Sequence, residues 1–490
     1  MRNDFQNPKN VLFASHTNVF RLKTIVIVIV LMAIISCKNT VEVPEPVTGL
    51  VANDVFTNNS TAAAALTGIY STMMSSAGIV DGPPDISFAA GLSADELRSY
   101  SSDFTLDQLY SNSLSQNTSL LIWSQYYNLI YAANSAINGL STSTGVTLSV
   151  KNQLTGEAEF IRALLYFYLT NLYGDVPLIT STNYQLNAVA ARTSQSQVYK
   201  QIIADLLDAQ KLLNSNFLAG DISTTSTERI RPTTWAATAL LARVYLYQKQ
   251  WSDAQAQSTK LINNNSLFAL DSLNGVFIAN STEAIWQLHP VIPGYNTFDG
   301  YYFILTGAAG LNQPTSLSNY LLSAFEPGDK RRTDWIDSII VNNQTYFYPY
   351  KYKVGQYGSP VSEYLMVLRL SEQYLIRAEA EANGATGGLT AAVVDLNKIR
   401  NRAGLPNYSK ATDSQSLLNA IYHERQVELF TEWGHRWLDL KRTGLVSSVL
   451  GSPGNVCNAK GGTWNPDWAL YPIPQTDILL DKNLSQNPGY

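Results

Sequence analysis

TTWAATALLARVYLYQKQWSDAQAQSTKLI, residues 233–262, reads as two helices joined by a short polar turn. Ala242, Tyr245 and Ala254 stand three and nine residues apart, the small, Tyr, small spacing of a tetratricopeptide helix hairpin. Small residues let antiparallel helices approach closely, and the tyrosine wedges between them. LSEQYLIRAEAEANGATGGLTAAVVDLNKIRNRAGL, residues 370–405, repeats the form: a small-residue helix, a Gly-rich turn, a second amphipathic helix. Each pair needs neighbours to bury its faces, so repeated pairs point to a solenoid-like helical scaffold.

Helical periodicity extends outward from these pairs. Apolar spacing predicts helices over Ser60–Met74, Leu121–Leu140, Leu154–Tyr173 and Gln197–Leu213. In the third, Ile161, Leu164, Leu165, Tyr168, Leu169 and Leu172 form one face, and Gly174-Asp175-Val176-Pro177 stops it, because proline lacks the amide. Residues 267–312 and 335–368 differ in texture: rich in Tyr, Phe, Gly, Asn and Pro, they predict long loops with a few short strands, at Asp337–Val341 and Thr345–Tyr352 among others. The fold class is therefore mostly α, with tetratricopeptide-like helix pairs under long loops.

The first residues carry a different message. Arg2, Lys9, Arg21 and Lys23 precede an unbroken apolar run, Ile25–Ile35, closed by Ser36 and Cys37, which is the layout of a secretory signal. A spanning helix needs roughly 20 apolar residues, and this run is too short. The leader is long for a signal, which points to a start codon downstream of Met1. Ile34-Ile35-Ser36-Cys37 resembles the bacterial lipobox, so residues 1–36 read as a lipoprotein signal peptide and Cys37 as the lipidated anchor. VEVPEPVTGL within residues 37–54 reads as an extended tether. With Cys37 acylated, Cys457 has no intrachain partner and reads as an inert loop or core thiol.

Net charge is −5 with a pI near 5.5, so no basic field exists to attract nucleic acid. The chain holds 28 Tyr and 9 Trp, an excess that suits stacking on sugars or other flat ligands. Walker, GxGxxG, nucleophile-elbow, HExxH and CxxC patterns do not occur. His289, His423 and His435 lie in distant elements, and no catalytic residue, cofactor or metal site is assigned.

Glu424, Arg425, Glu428, Glu432, His435, Arg436, Asp439, Lys441 and Arg442 form the densest charge group. A glycosidase-type carboxylate pair would leave Glu424 and Glu428 exposed in a cleft. An internal ion-pair lattice would pin them with arginines, and the helical spacing favours the lattice.

Five ordered motifs give the chain a family likeness. GEAEFIRA (156–163) with YGDVPL (173–178), LRLSE (368–372) with RAEA (377–380), LNKIRNRAGL (396–405), ERQVEL (424–429) with GHRWLDLKR (434–442), and YPIP (471–474) with NPGY (487–490) together resemble the SusD/RagB family of Bacteroidetes outer-membrane nutrient-binding lipoproteins. The resemblance implies a SusD-like α-α superhelix, in a helical region over 55–265 interleaved with a second region over 266–490. It also implies an outer-membrane location facing the cell exterior and a SusC-like TonB-dependent transporter as partner. Its ligand is an oligosaccharide or, in RagB-like members, a peptide. A glycan-active enzyme and a purely structural scaffold are the competing readings. Lys38-Asn39-Thr40-Val41-Glu42 lacks the immediate acidic pair of some surface-export signals, so outward facing rests on the family.

A sugar platform asks for aromatic faces beside short polar groups on loops held still by a scaffold. Two segments qualify, and the resemblance places the family's ligand arc in these parts of the chain. The expected ligand contacts are Asp95, Arg98, Tyr100, Tyr110 and Asn112 in the first, and Tyr295, Phe298 and Tyr301 in the second. Trp286, alternating with apolar neighbours, and Trp235, Trp433 and Trp437, read as helical, are expected in the core.

Overall fold

Both predicted hairpins form. Helix Thr234–Tyr247 turns at Gln248–Gln250 into helix Trp251–Ile262, and helix Leu370–Ala382 turns through Gly384 and Gly387 into helix Gly388–Arg402. Ala236, Ala237, Ala239, Ala242 and Ala254 on these two helices are fully buried, while Tyr245 is partly exposed. Helix Trp251–Ile262 then packs on Leu370–Ala382, so the two pairs stack. The computed structural model describes residues 55–75, 85–118, 120–410 and 413–490, all within one compact unit. The signal sequence 1–36, Cys37 and the tether 37–54 lie outside the described residues. No helix among the described residues is long and apolar enough to cross a membrane.

The other predicted helices appear as Asn59–Met73, Leu121–Thr142, Leu148–Tyr173 and Gln195–Leu212. The third differs from its expected single apolar face. From Phe160 to Thr170 every residue is buried, because helices Leu121–Thr142 and Gln195–Leu212 both pack on it. A helix buried all round must pair its polar groups. Glu157 therefore meets Arg231 at 2.7 Å, and Arg162 meets Asp205 at 2.8 and 2.7 Å while donating to Asn134 Oδ1 at 2.9 Å. Gly174, at φ +76°, ends the helix where proline was expected to stop it.

Among the described residues the loops carry eight short strands in two-stranded antiparallel pairs. Ile336–Val341 and Gln344–Pro349 form a hairpin whose turn residues Asn342 and Asn343 both have positive φ, the conformation that tight hairpins favour. Ala284–Leu288 pairs with Leu365–Arg369, and Trp286 is fully buried between them and the helices. Trp437 is buried on helix His435–Arg442, and Trp235 lies at the core's edge. Trp433 is core but not helical: it sits at φ +49° in the turn before Gly434, with its indole N–H donating to the Met366 carbonyl at 2.7 Å.

The acidic members of the dense charge group are buried, and arginines pin them. Arg369, at the end of its strand, reaches Glu283 at 2.9 Å, Glu428 at 2.5 Å and Glu432 at 2.8 Å. Arg402 bonds Glu283 at 2.7 Å and also Glu428, and Arg331 bonds Glu424 at 2.7 Å and Glu428 at 2.9 Å. Burial pushes the Glu428 carboxyl up, but Arg402, Arg369 and Arg331 together hold it well below the usual carboxylate range. Glu424 and Glu428 thus tie helix Ser414–Glu428 to a strand and two other helices. Removing one partner from such a lattice strands the others in a low dielectric. Glu428→Gln is expected to lower the unfolding free energy by about 3–5 kcal/mol in chemical denaturation. A loss below about 1 kcal/mol would show that the lattice does not hold the helices.

Candidate functional site

Two strands distant in sequence build one wall of the site. Leu97–Ser99 pairs with Thr315–Leu317, setting Arg98 opposite Ser316. Leu97 is buried and Arg98 is exposed. Together they edge a hollow of about 540 Å³. Tyr100, Tyr110, Tyr320 and Phe347 line it with aromatic rings, and Asn319, Gln344 and Thr345 add short polar groups. The Arg98 guanidinium lies 5.0 Å from the centroid of the Tyr100 ring, and Tyr100 meets Tyr346 edge to face at 5.3 Å. Tyr110 stands on helix Phe104–Ser111, with the Lys460 ammonium 5.3 Å from its ring. Burial pushes the Tyr110 hydroxyl's pKa up and the Lys460 ammonium's down to about 7.

A second hollow of about 680 Å³ shares Asn319 and Tyr320 with the first and is edged by Asp95, Gln426 and Arg436. Tyr320, 41% exposed, stands between the two. The Asp95 carboxylate takes two hydrogen bonds from Arg436, both at 2.7 Å. Burial raises its pKa, but Arg436 outweighs that and holds it below the ordinary value. Asn112 is buried in the left-handed position that ends helix Phe104–Ser111, where its amide donates to the Ser93 carbonyl at 2.9 Å.

The second predicted segment forms a separate aromatic group. Tyr295 meets Phe298 at 4.8 Å, Tyr301 at 4.9 Å and Tyr357 at 5.1 Å between ring centroids. Phe298 is buried beneath, Tyr295 and Tyr301 are half-buried, and Tyr357 is exposed. Gly294, at φ +89°, lets the Tyr357 ring lie so near that a Cβ there would come within 2.5 Å of it. Residues 304–314 join the groups: the Tyr100 amide donates to the Pro314 carbonyl at 2.8 Å, and the Gln313 amide donates to the Tyr301 carbonyl at 3.3 Å.

Of the residues expected from sequence, Arg98, Tyr100 and Tyr110 meet at the first hollow, and Tyr295, Phe298 and Tyr301 form the second group. Asp95 edges the neighbouring hollow, and Asn112 points into the fold. Sequence reasoning missed Asn319, Tyr320, Gln344, Tyr357 and Lys460. Tyr320 follows the helix-capping Ser318 in a short apolar stretch, so its local pattern signals only a helix start. The strand pair brings it to Arg98. The histidines stay apart, and no group of metal-ligating side chains occurs among the described residues. Cys457 is buried, its thiol 3.4 Å from the Ser111 carbonyl.

An α-superhelix of tetratricopeptide-like pairs that presents an aromatic hollow on its loops describes a known class. Residues 319–490 match the SusD family, and residues 85–246 match a SusD-like family described as starch-binding associating with outer membrane. The chain is similar to the SusD family over both stretches. SusD-like protein P2 of Formosa agariphila is 29% identical over 420 residues, 75% of this chain and 80% of that protein. A SusD superfamily protein from Bacteroides vulgatus has the same fold, with a TM-score of 0.75 at 21% identity over 88% of this chain and 99% of that one. A laminarin binding SusD-like protein gives 0.74 at 23% identity, over 89% and 100%.

Glu96, buried beside this wall, offers a test of the site's electrostatics. Burial, with the Asp95 charge adding to it, pushes its pKa from 4.5 up to about 8. Between those values the folded chain keeps a proton that the unfolded chain has lost. The stability this contributes is complete below pH 4.5 and is lost as pH rises through about 8. Glu96→Gln removes the titration, so its melting temperature relative to the parent should rise between pH 5 and pH 8.5. A difference independent of pH would refute the assignment.

Proposed function

We propose that this protein is a cell-surface, lipid-anchored receptor that captures oligosaccharide at the hollow around Tyr320 and delivers it to a SusC-like TonB-dependent transporter. One observation carries the binding half: four aromatic side chains meet short polar groups at a hollow whose walls are strand-paired and cannot shift freely. Sugar rings present weakly polar faces and hydroxyl edges, so stacking and hydrogen bonding act together there. Arg98, Tyr100, Tyr110 and Tyr320 are the contacting residues, with Tyr295, Tyr301 and Tyr357 as a second stacking surface. Asp95, paired with Arg436, and Asn112, bonded to Ser93, hold the wall. Phe298 supports the second surface from below.

The naming of a structural neighbour as laminarin binding supports the glycan reading, and the starch-binding, outer-membrane description of the matched family supports the location. Delivery to a transporter and attachment through Cys37 rest on the likeness to the SusD family and on the lipobox. Glu424 and Glu428, held in the buried lattice, are not available as a carboxylate pair facing substrate.

Calorimetry on the mature protein with oligosaccharide and peptide panels tests the reading. Saturable glycan binding without product release is expected, and Tyr320→Ala and Tyr100→Ala should each weaken it roughly tenfold or more while the fold stays intact. Binding by peptides alone, or sugar release that scales with protein concentration, would overturn it. In cells, Cys37→Ala should move the protein from the membrane to the soluble fraction. Retention in the membrane would exclude the lipid anchor.

A further inference from the structure

The described arginines are almost all occupied. Arg162, Arg231, Arg243, Arg331, Arg369, Arg377, Arg400, Arg402, Arg425, Arg436 and Arg442 are each ion-paired. Arg192 and Arg229 give their guanidinium N–H groups to carbonyls. Among the described residues, two guanidiniums have neither an ion pair nor a hydrogen bond: Arg98 and Arg332. The first lines the first hollow, and the second lies against one of its lining rings without lining it itself. Arg98 edges it across the Tyr100 ring, and Arg332 lies 4.7 Å from the centroid of Phe347, one of its lining rings.

The other charges around the hollow do not offset them. No carboxylate lines it, and Lys460 adds a third cationic group. Glu96, next in the chain to the wall strand, is kept neutral at pH 7 by burial and by Asp95. Asp95 itself is matched by Arg436. A guanidinium has five N–H donors in a planar fork that fits carboxylate and sulfate oxygens, and it stacks on aromatic faces at the same time. In a chain with net charge −5, positive groups left unmatched at one hollow mark the sign of what enters it.

We propose that the ligand of this hollow is an acidic oligosaccharide, whose carboxylate or sulfate groups bind Arg98 and Arg332 while its rings stack on Tyr100 and Tyr320. This rests on the reading of the hollow as a glycan site and names the class of glycan. Lys460 contributes charge without being free to reach far, since its ammonium donates to the Leu92 carbonyl at 2.6 Å and also to that of Ala94. The bound anion raises the ammonium's pKa from about 7 toward its ordinary value, which draws a proton into the complex near neutral pH.

The test is calorimetry on the mature protein with three sets of oligosaccharides matched in length: neutral glucans, hexuronates and sulfated galactans. One or both acidic sets should bind at least tenfold more tightly than the neutral set, and the two acidic arms identify which anion the fork takes. Raising sodium chloride from 50 to 500 mM should remove most of that preference. Arg98→Gln and Arg332→Gln, which break no ion pair or hydrogen bond within the fold, should each cut acidic binding roughly tenfold and narrow the gap between the acidic and neutral sets. If neutral glucans bind as well as acidic ones and Tyr100→Ala weakens them, the acidic class is overturned and glycan capture stands. If no oligosaccharide binds, both are overturned.

Discussion

A charge taken out of water must be matched, and this fold depends on how it meets that requirement. Arg369, Glu428, Glu432, Glu283, Arg402 and Arg331 are drawn from a strand, two loops and three helices, and each is held out of water because the others are. The Lys351 ammonium extends the set, bonding Glu432 at 2.5 Å and donating to the Glu428 and Phe430 carbonyls at 2.9 and 2.8 Å. From there the connection reaches the hollow. The Thr431 amide donates to Glu96 at 3.3 Å and Arg436 grips Asp95, and these two carboxyl residues directly precede the strand that carries Arg98. Scaffold and site are thus one electrostatic structure, with its matched charges inside and its unmatched ones at the opening.

The sequence made the scaffold legible because helix pairs are local. Spacing within thirty residues was enough to place Thr234–Ile262 and Leu370–Arg402, and a lattice was expected where Glu424 and Glu428 stand four apart among arginines. The error on Leu148–Tyr173 is instructive: its strongest apolar residues do share a face, but Phe160, Tyr166 and Phe167 bury the other side too. Periodicity reports contrast between faces. It reports less about a helix that has no outer face.

The site was legible in part. Arg98, Tyr100 and Tyr110 lie within thirteen residues of each other, and a loop rich in aromatic and short polar residues was signal enough. Tyr320, Lys460 and Tyr357 came from elsewhere in the chain, brought in by the pairing of residues 97–99 with 315–317, by the backbone carbonyls that Lys460 caps, and by the close approach at Gly294. Asp95 and Asn112 carried the right chemistry for a sugar contact, but the Asp95 carboxylate is committed to Arg436 and the buried Asn112 amide nitrogen to Ser93.

The central helix has a consequence for the order of events as the chain emerges from its N-terminus. Glu157 waits for Arg231, 74 residues later, and Arg162 for Asp205, 43 residues later. Until both have appeared, this helix cannot be buried on every side without leaving Glu157 and Arg162 short of the partners that match them. Its complete enclosure therefore requires the chain through Arg231.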